Sequence, residues 1–149
     1  MKAGIKMNIN FKKPIKGQYL DITKASDDIF SQKLLGPGFL VKPEDKHIYS
    51  PICGKIKMIY PTSHAIAISI ENLDILIHVG LTEKIRHKDL FQLHVNLGDT
   101  ISQGDKLLSF NFDFKDYHEN DYQIPIVFVQ KQTLQILDEC EDSMNLGIL

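Results

Sequence analysis

Two histidines carry the chemistry that this sequence can offer. They lie in Thr62-Ser63-His64-Ala65 and Ile77-His78-Val79-Gly80, each at the end of an apolar, alternating segment. Only the turn-like stretch Ile70-Glu71-Asn72-Leu73-Asp74 separates the two segments. Strands joined so briefly form a hairpin, which brings both imidazoles towards its open end. A neutral imidazole has one nitrogen with a free lone pair and one N–H donor. Two of them together can relay a phosphoryl group, hold a metal ion, or serve only as packing.

Alternation sets a condition on the pair. His64 is in phase with Ile66, Ile68 and Ile70, and His78 is in phase with Leu76. Side chains alternate across a sheet, so both rings share a face only if the numbers of paired residues add to an even sum. A three-residue loop, Glu71 to Leu73, meets the condition, and a two-residue loop does not. No Asn-Gly marks a tight two-residue turn, so the three-residue loop is the expectation. The plainer alternative is two independent, half-buried histidines.

The elements that must position them are mostly strands. Runs rich in Ile, Val, Phe and Leu recur between turn signals at Tyr19–Ile22, Phe39–Lys42, Lys55–Tyr60, Ala65–Ile70, Ile75–Val79, Lys106–Phe110 and Ile124–Gln130. Short strands spaced by Gly, Pro and Asp define an all-β fold, an antiparallel β-sandwich or barrel-like domain with short helical turns. Those turns are expected in Lys84–Phe91 and Phe114–Asn120, and a short amphipathic helix over Thr133–Cys140. Pro14-Ile15-Lys16-Gly17 is echoed by Pro51-Ile52-Cys53-Gly54, where Pro can open a strand and Gly can turn a corner.

Composition narrows the function classes. A chain of 149 residues suffices for one well-buried core, read here as a single domain over 13–149 behind an N-terminal extension, 1–12. A net charge of −2 gives no basic field for nucleic acid. No apolar run approaches the roughly 20 residues of a membrane span, and the polar start lacks a signal-peptide core. Cys53 and Cys140 read as reduced thiols, which points to a cytoplasmic protein. The other histidines, His47, His87, His94 and His118, are expected to face solvent.

Taken in order, the motifs resemble a known family. They are Pro14-Ile15-x-Gly17, Asp27-Asp28-Ile29-Phe30-Ser31-Gln32-Lys33-Leu34-Leu35-Gly36-Pro37-Gly38, Lys42-Pro43, Ser50-Pro51-Ile52-x-Gly54, Thr62-x-His64-Ala65, Ile77-His78-x-Gly80, Gly98-Asp99 and Gly104-Asp105. Together they resemble the IIA domain of the glucose/β-glucoside class of the bacterial phosphoenolpyruvate-dependent sugar phosphotransferase system. The resemblance runs from about Lys13 to Gln130. It implies an antiparallel sandwich with a shallow apolar active site holding both histidines.

The resemblance also implies roles. His78 matches the histidine that accepts a phosphoryl group from the phosphocarrier protein HPr and passes it to the IIB domain of a sugar permease. His64 matches the partner imidazole that stabilises the phosphoryl oxygens. Thr62 matches the hydroxyl that orients His64, and the Gly80 carbonyl is suited to hold His78 in one tautomer. Phe30, Ile66 and Leu76 match apolar positions where partners dock, and Asp27 matches an acidic position on the rim. The activity implied is a phosphotransferase working through phosphohistidine with no required cofactor. A zinc ion on His64 and His78, completed by a partner carboxylate, is the metal alternative. The functional alternative is a diverged regulatory module that binds a transporter or metabolic enzyme through the same face.

Four departures from the family pattern stand out. Gly80-Leu81-Thr82-Glu83 puts Thr82 where the family usually has Asp, and Lys88-Asp89-Leu90-Phe91 replaces Gly-x-Gly-Phe. The turn between the histidine segments is one residue shorter than typical. The tail after Gln130 shows no clear last strand of the family type.

Overall fold

The computed structural model describes residues 6–149. Thirteen strands follow one another: β1 (Met7–Lys12), β2 (Gly17–Asp21), β3 (Gly38–Pro43), β4 (His47–Tyr49), β5 (Gly54–Ile59), β6 (Ala65–Ile70), β7 (Leu73–His78), β8 (Phe91–Leu93), β9 (Thr100–Ile101), β10 (Lys106–Phe110), β11 (Ile124–Phe128), β12 (Leu134–Glu139) and β13 (Ser143–Ile148). Single helical turns interrupt them: α1 (Asp28–Ser31), α2 (Glu119–Tyr122) and 3₁₀ turns at Ile22–Lys24, Lys88–Leu90 and Phe114–Asp116. The expected helical stretches at Lys84–Phe91 and Phe114–Asn120 thus hold one or two short turns each.

All pairings are antiparallel, and the strands form three sheets. The large sheet has the order β2-β3-β11-β7-β6-β5-β9, and two small sheets have the orders β1-β13-β12 and β4-β10-β8. The all-β fold is therefore as the sequence pattern requires.

Alternation divides the large sheet into two apolar faces. Ile66 and Ile68 of β6, Ile75 and Ile77 of β7, and Ile124, Ile126 and Phe128 of β11 point into the main core. Phe11, Ile48, Leu108, Met144, Leu146 and Ile148 come from the small sheets to meet them. The opposite face carries Ala65, Ala67, Leu76, Leu40 and Val127, covered by Ile22, Ala25, Phe30 and Leu81. The site is built on this second face.

The ends of the chain differ from the sequence reading. Residues 7–12 are not an extension: β1 pairs along its length with β13, and Phe11 is fully buried, 5.9 Å from Phe39 and 5.7 Å from Phe128 between ring centres. Burying such a side chain is worth about 1.5–3 kcal/mol, enough to fix the strand in place. Thr133–Cys140 is not a helix but contains β12, an almost fully exposed strand. With so little burial its apolar spacing carries no periodic signal, and ladder bonds to β13 decide its conformation. A last strand does exist, because Met144, Leu146 and Ile148 of β13 alternate into the core.

Candidate functional site

The hairpin that carries the histidines is tighter than expected. Ile70 pairs with Leu73, so the loop is Glu71-Asn72, with Glu71 in the left-handed region at φ 50°. Paired residues add to an odd sum throughout, and His78 stands opposite Ala65. The three-residue loop is thus corrected to two. Strict alternation would now put the two rings on opposite faces.

They meet because His64 lies outside the strand. It ends the loop Pro61–His64, which is closed by Ser63 N–H to Tyr60 O (2.8 Å) and Tyr60 N–H to Ala65 O (3.0 Å). Ser63 has φ 62°, which turns the chain just before the pleat begins at Ala65. The imidazoles of His64 and His78 face each other edge-on, with ring centres 4.8 Å apart at 88°. Tyr60 packs at 5.2 Å from His64 and 5.9 Å from His78, and Phe30 lies 5.3 Å from His78. Both histidines are almost buried, at 5% and 6% exposure.

Hydrogen bonds assign the nitrogens. The Nδ1–H of His78 donates to the Gly80 carbonyl at 2.9 Å. A carbonyl can only accept, so in the neutral ring Nε2 holds the lone pair. The Nδ1 of His64 is bonded to the Thr62 hydroxyl, which leaves its Nε2 as the free nitrogen.

Burial above all holds His78 down to a pKa of about 4, helped by His64 and Arg86. The Gly80 bond and Asp27 pull the other way without reversing the shift. His64 is lowered to about 4 by burial first and by Arg86 second. Both rings are therefore neutral at ordinary pH.

Gly80 is needed for shape as well as for its carbonyl. Its φ is 89°, and a Cβ there would stand 2.5 Å from the Asp121 carbonyl oxygen and 2.8 Å from Ile85 Cδ1. Its N–H donates to the Gln123 carbonyl at 2.8 Å, tying the end of β7 to the segment after α2. Thr82, the position lacking the usual Asp, donates its hydroxyl to Asp121 Oδ1 at 2.6 Å.

The sequence-predicted residues do not all gather here. Asp27 caps α1 by accepting the Ile29 N–H at 2.7 Å, and so sets Phe30 against His78. Leu76 lies on the site face with Phe30. Ile66 does not: it is 1% exposed in the main core, opposite Ile77, so it offers nothing to a partner. Ala65 and Ala67 take its place on the site face.

Sequence reading missed Tyr60, Leu81 and Arg86 around the pair, and an apolar groove beside it. Leu35, Met58, Tyr60, Ala67, Leu76 and Val129 line that groove, and exposed Ile29 and Leu34 lie in or just after α1. Tyr60, four residues before His64 at the end of an alternating run, was the available signal. His94 is exposed as expected and His47 is half-buried, and both bond the Ser109 hydroxyl, at 2.9 and 2.8 Å respectively. Among the described residues no third His, Cys, Asp or Glu joins His64 and His78.

The comparisons agree with this architecture. The family model for the phosphoenolpyruvate-dependent sugar phosphotransferase system, EIIA 1, matches residues 9–134. Among solved structures, the glucose permease IIA from Mycoplasma capricolum is similar, with a TM-score of 0.80 at 26% identity. The match covers 94% of this chain and 96% of that one. The chain belongs to the EIIA 1 family and is a phosphocarrier component of the sugar phosphotransferase system. No helix among the described residues is long and apolar enough to cross a membrane.

Proposed function

We propose that His78 is the phosphoryl acceptor, taking the group from HPr on Nε2 and passing it to the IIB domain of a sugar permease. The observation that carries this reading is the Nδ1–H bond from His78 to the Gly80 carbonyl, which leaves Nε2 as the bare nitrogen beside His64. In the forward step the bond from phosphorus to the donor breaks and its electron pair leaves with the donor. The Nε2 lone pair forms the new P–N bond. The ring keeps its Nδ1 proton, so no base is needed, and the step runs backwards by the same path to the IIB domain. His64 donates its Nε2–H to the phosphoryl oxygens while Thr62 donates to Nδ1, the tautomer that makes this donor available. The apolar groove beside the rings is where the two partners dock in turn.

A regulatory use of the same face fits the exposed Ile29, Leu34 and Met58. Phosphorylation adds about two negative charges to it and repels any partner that binds the apolar state. Incubation with enzyme I, HPr and phosphoenolpyruvate, followed by intact-mass measurement, tests the catalytic reading. One phosphoryl group is expected on the unmodified protein and none on His78→Ala, which should keep its fold. An unmodified protein that takes up no phosphate, or a variant that still takes it up, refutes the assignment.

A further inference from the structure

A phosphoryl group on His78 would bring about two negative charges to a ring that is only 6% exposed. One N–H from His64 is little compensation for such a charge away from water. The chain supplies a second source in Arg86, the only arginine among its 17 lysine and arginine residues. Arg86 follows Ile85, whose fully buried side chain packs onto Gly80, the residue that holds His78. This neighbour fixes where the guanidinium stem begins.

Among the described residues the guanidinium forms no ion pair. Its Nε is buried and makes no hydrogen bond, and the ion pairs among the described residues all use lysine. The acidic residues nearest in sequence, Glu83 and Asp89, form no ion pair with it, and the usual carboxylate two residues after Gly80 is Thr82 here. The buried carboxylate of Asp121 is engaged by the Thr82 hydroxyl and the His118 N–H. The charge of Arg86 is nevertheless felt by both imidazoles.

We infer that Arg86 is a further catalytic residue, whose guanidinium binds the phosphoryl oxygens on His78 and compensates their charge within this chain. The inference rests on His78 as the acceptor. A planar fork of N–H donors suits a phosphoryl group better than an ammonium does. With Arg86 in place, the acceptor need not borrow all of its positive charge from the docking partner.

The test uses the full chain phosphorylated by enzyme I, HPr and phosphoenolpyruvate, with Arg86→Gln, Arg86→Lys and the exposed neighbour Lys84→Gln as variants. Two quantities are read: the single-turnover rate of phosphorylation, and the pKa of the phosphoryl group followed by phosphorus NMR. Arg86→Gln should lose about 10²–10³ in rate, as for one oxyanion donor. Its phosphoryl pKa should rise by about one unit or more, because an opposite charge has been removed. Arg86→Lys should recover much of the pKa and part of the rate, and Lys84→Gln should match the unmodified protein in both. If Arg86→Gln does not fold by thermal melting, Arg86→Met, which keeps the aliphatic stem, replaces it.

Failure of the unmodified protein to be phosphorylated on His78 refutes the acceptor assignment itself. Normal phosphorylation with both readouts unchanged in Arg86→Gln refutes the role of Arg86 alone. A slower rate with an unchanged phosphoryl pKa also overturns it, since that pattern assigns Arg86 to partner docking.

Discussion

His78 stands directly across the hairpin from Ala65, not from a residue in phase with His64. The methyl group opposite leaves the outer face open, and the ring of His64 enters that space from the loop before the strand. One imidazole is thus held by a strand and a carbonyl, the other by a turn and a hydroxyl. Their different supports predict different consequences when each is changed.

His64→Gln removes a donor while leaving the nucleophile. The variant should still accept a phosphoryl group, but transfer onward to a IIB domain should fall by about 10²–10³, the usual cost of one such donor. Single-turnover transfer from the phosphorylated variant measures this. Equal rates would make His64 a bystander, and Thr62 would lose its role with it.

Gly80→Ala attacks the other support. The new methyl would meet the Asp121 carbonyl at 2.5 Å, in a backbone held at φ 89°. Residues forced into such conformations cost about 1–3 kcal/mol, before the clash is relieved. The melting temperature should drop, and phosphorylation should slow as the carbonyl moves off His78 Nδ1. An unchanged rate would mean that the Gly80 bond does not set the reactive tautomer.

Much of this site could be read from the sequence, and the errors share a cause. Ala65–Ile70 and Lys106–Phe110 match β6 and β10 to the residue, because each is an apolar run bounded by turn residues. His64, His78, Thr62 and Gly80 come together as their motifs suggest. The hairpin register was hidden because Glu71, a non-glycine residue, takes the left-handed conformation that normally announces itself as Gly or Asn. That single residue moved Ile66 into the core and put Ala65 and Ala67 on the site face. Likewise β1 depends on β13, a partner far away in sequence, and β12 is almost fully exposed, so local pattern shows little of either. Arg86 lies in a loop without periodicity, and only its buried Nε marks it.

Acid should weaken the fold and protonate the pair in a defined window. Both histidines have pKa values of about 4 in the folded protein against 6.5 in the absence of structure. Between those values the unfolded chain binds more protons than the folded one. Their contribution to stability is therefore complete above about pH 6.5 and is lost as pH falls towards 4. NMR titration of the imidazole C–H signals should place both midpoints well below 6.5, with the rings still neutral at pH 6. Midpoints at or above 6.5 would contradict the dry, guanidinium-flanked site described here.

The most direct test of the central claim is the location of the new bond. After phosphorylation of ¹⁵N-histidine-labelled protein by enzyme I, HPr and phosphoenolpyruvate, nitrogen–phosphorus coupling identifies the modified nitrogen. The account predicts coupling at Nε2 of His78, with a proton retained on its Nδ1. A bond at Nδ1 of His78, or at either nitrogen of His64, would contradict it.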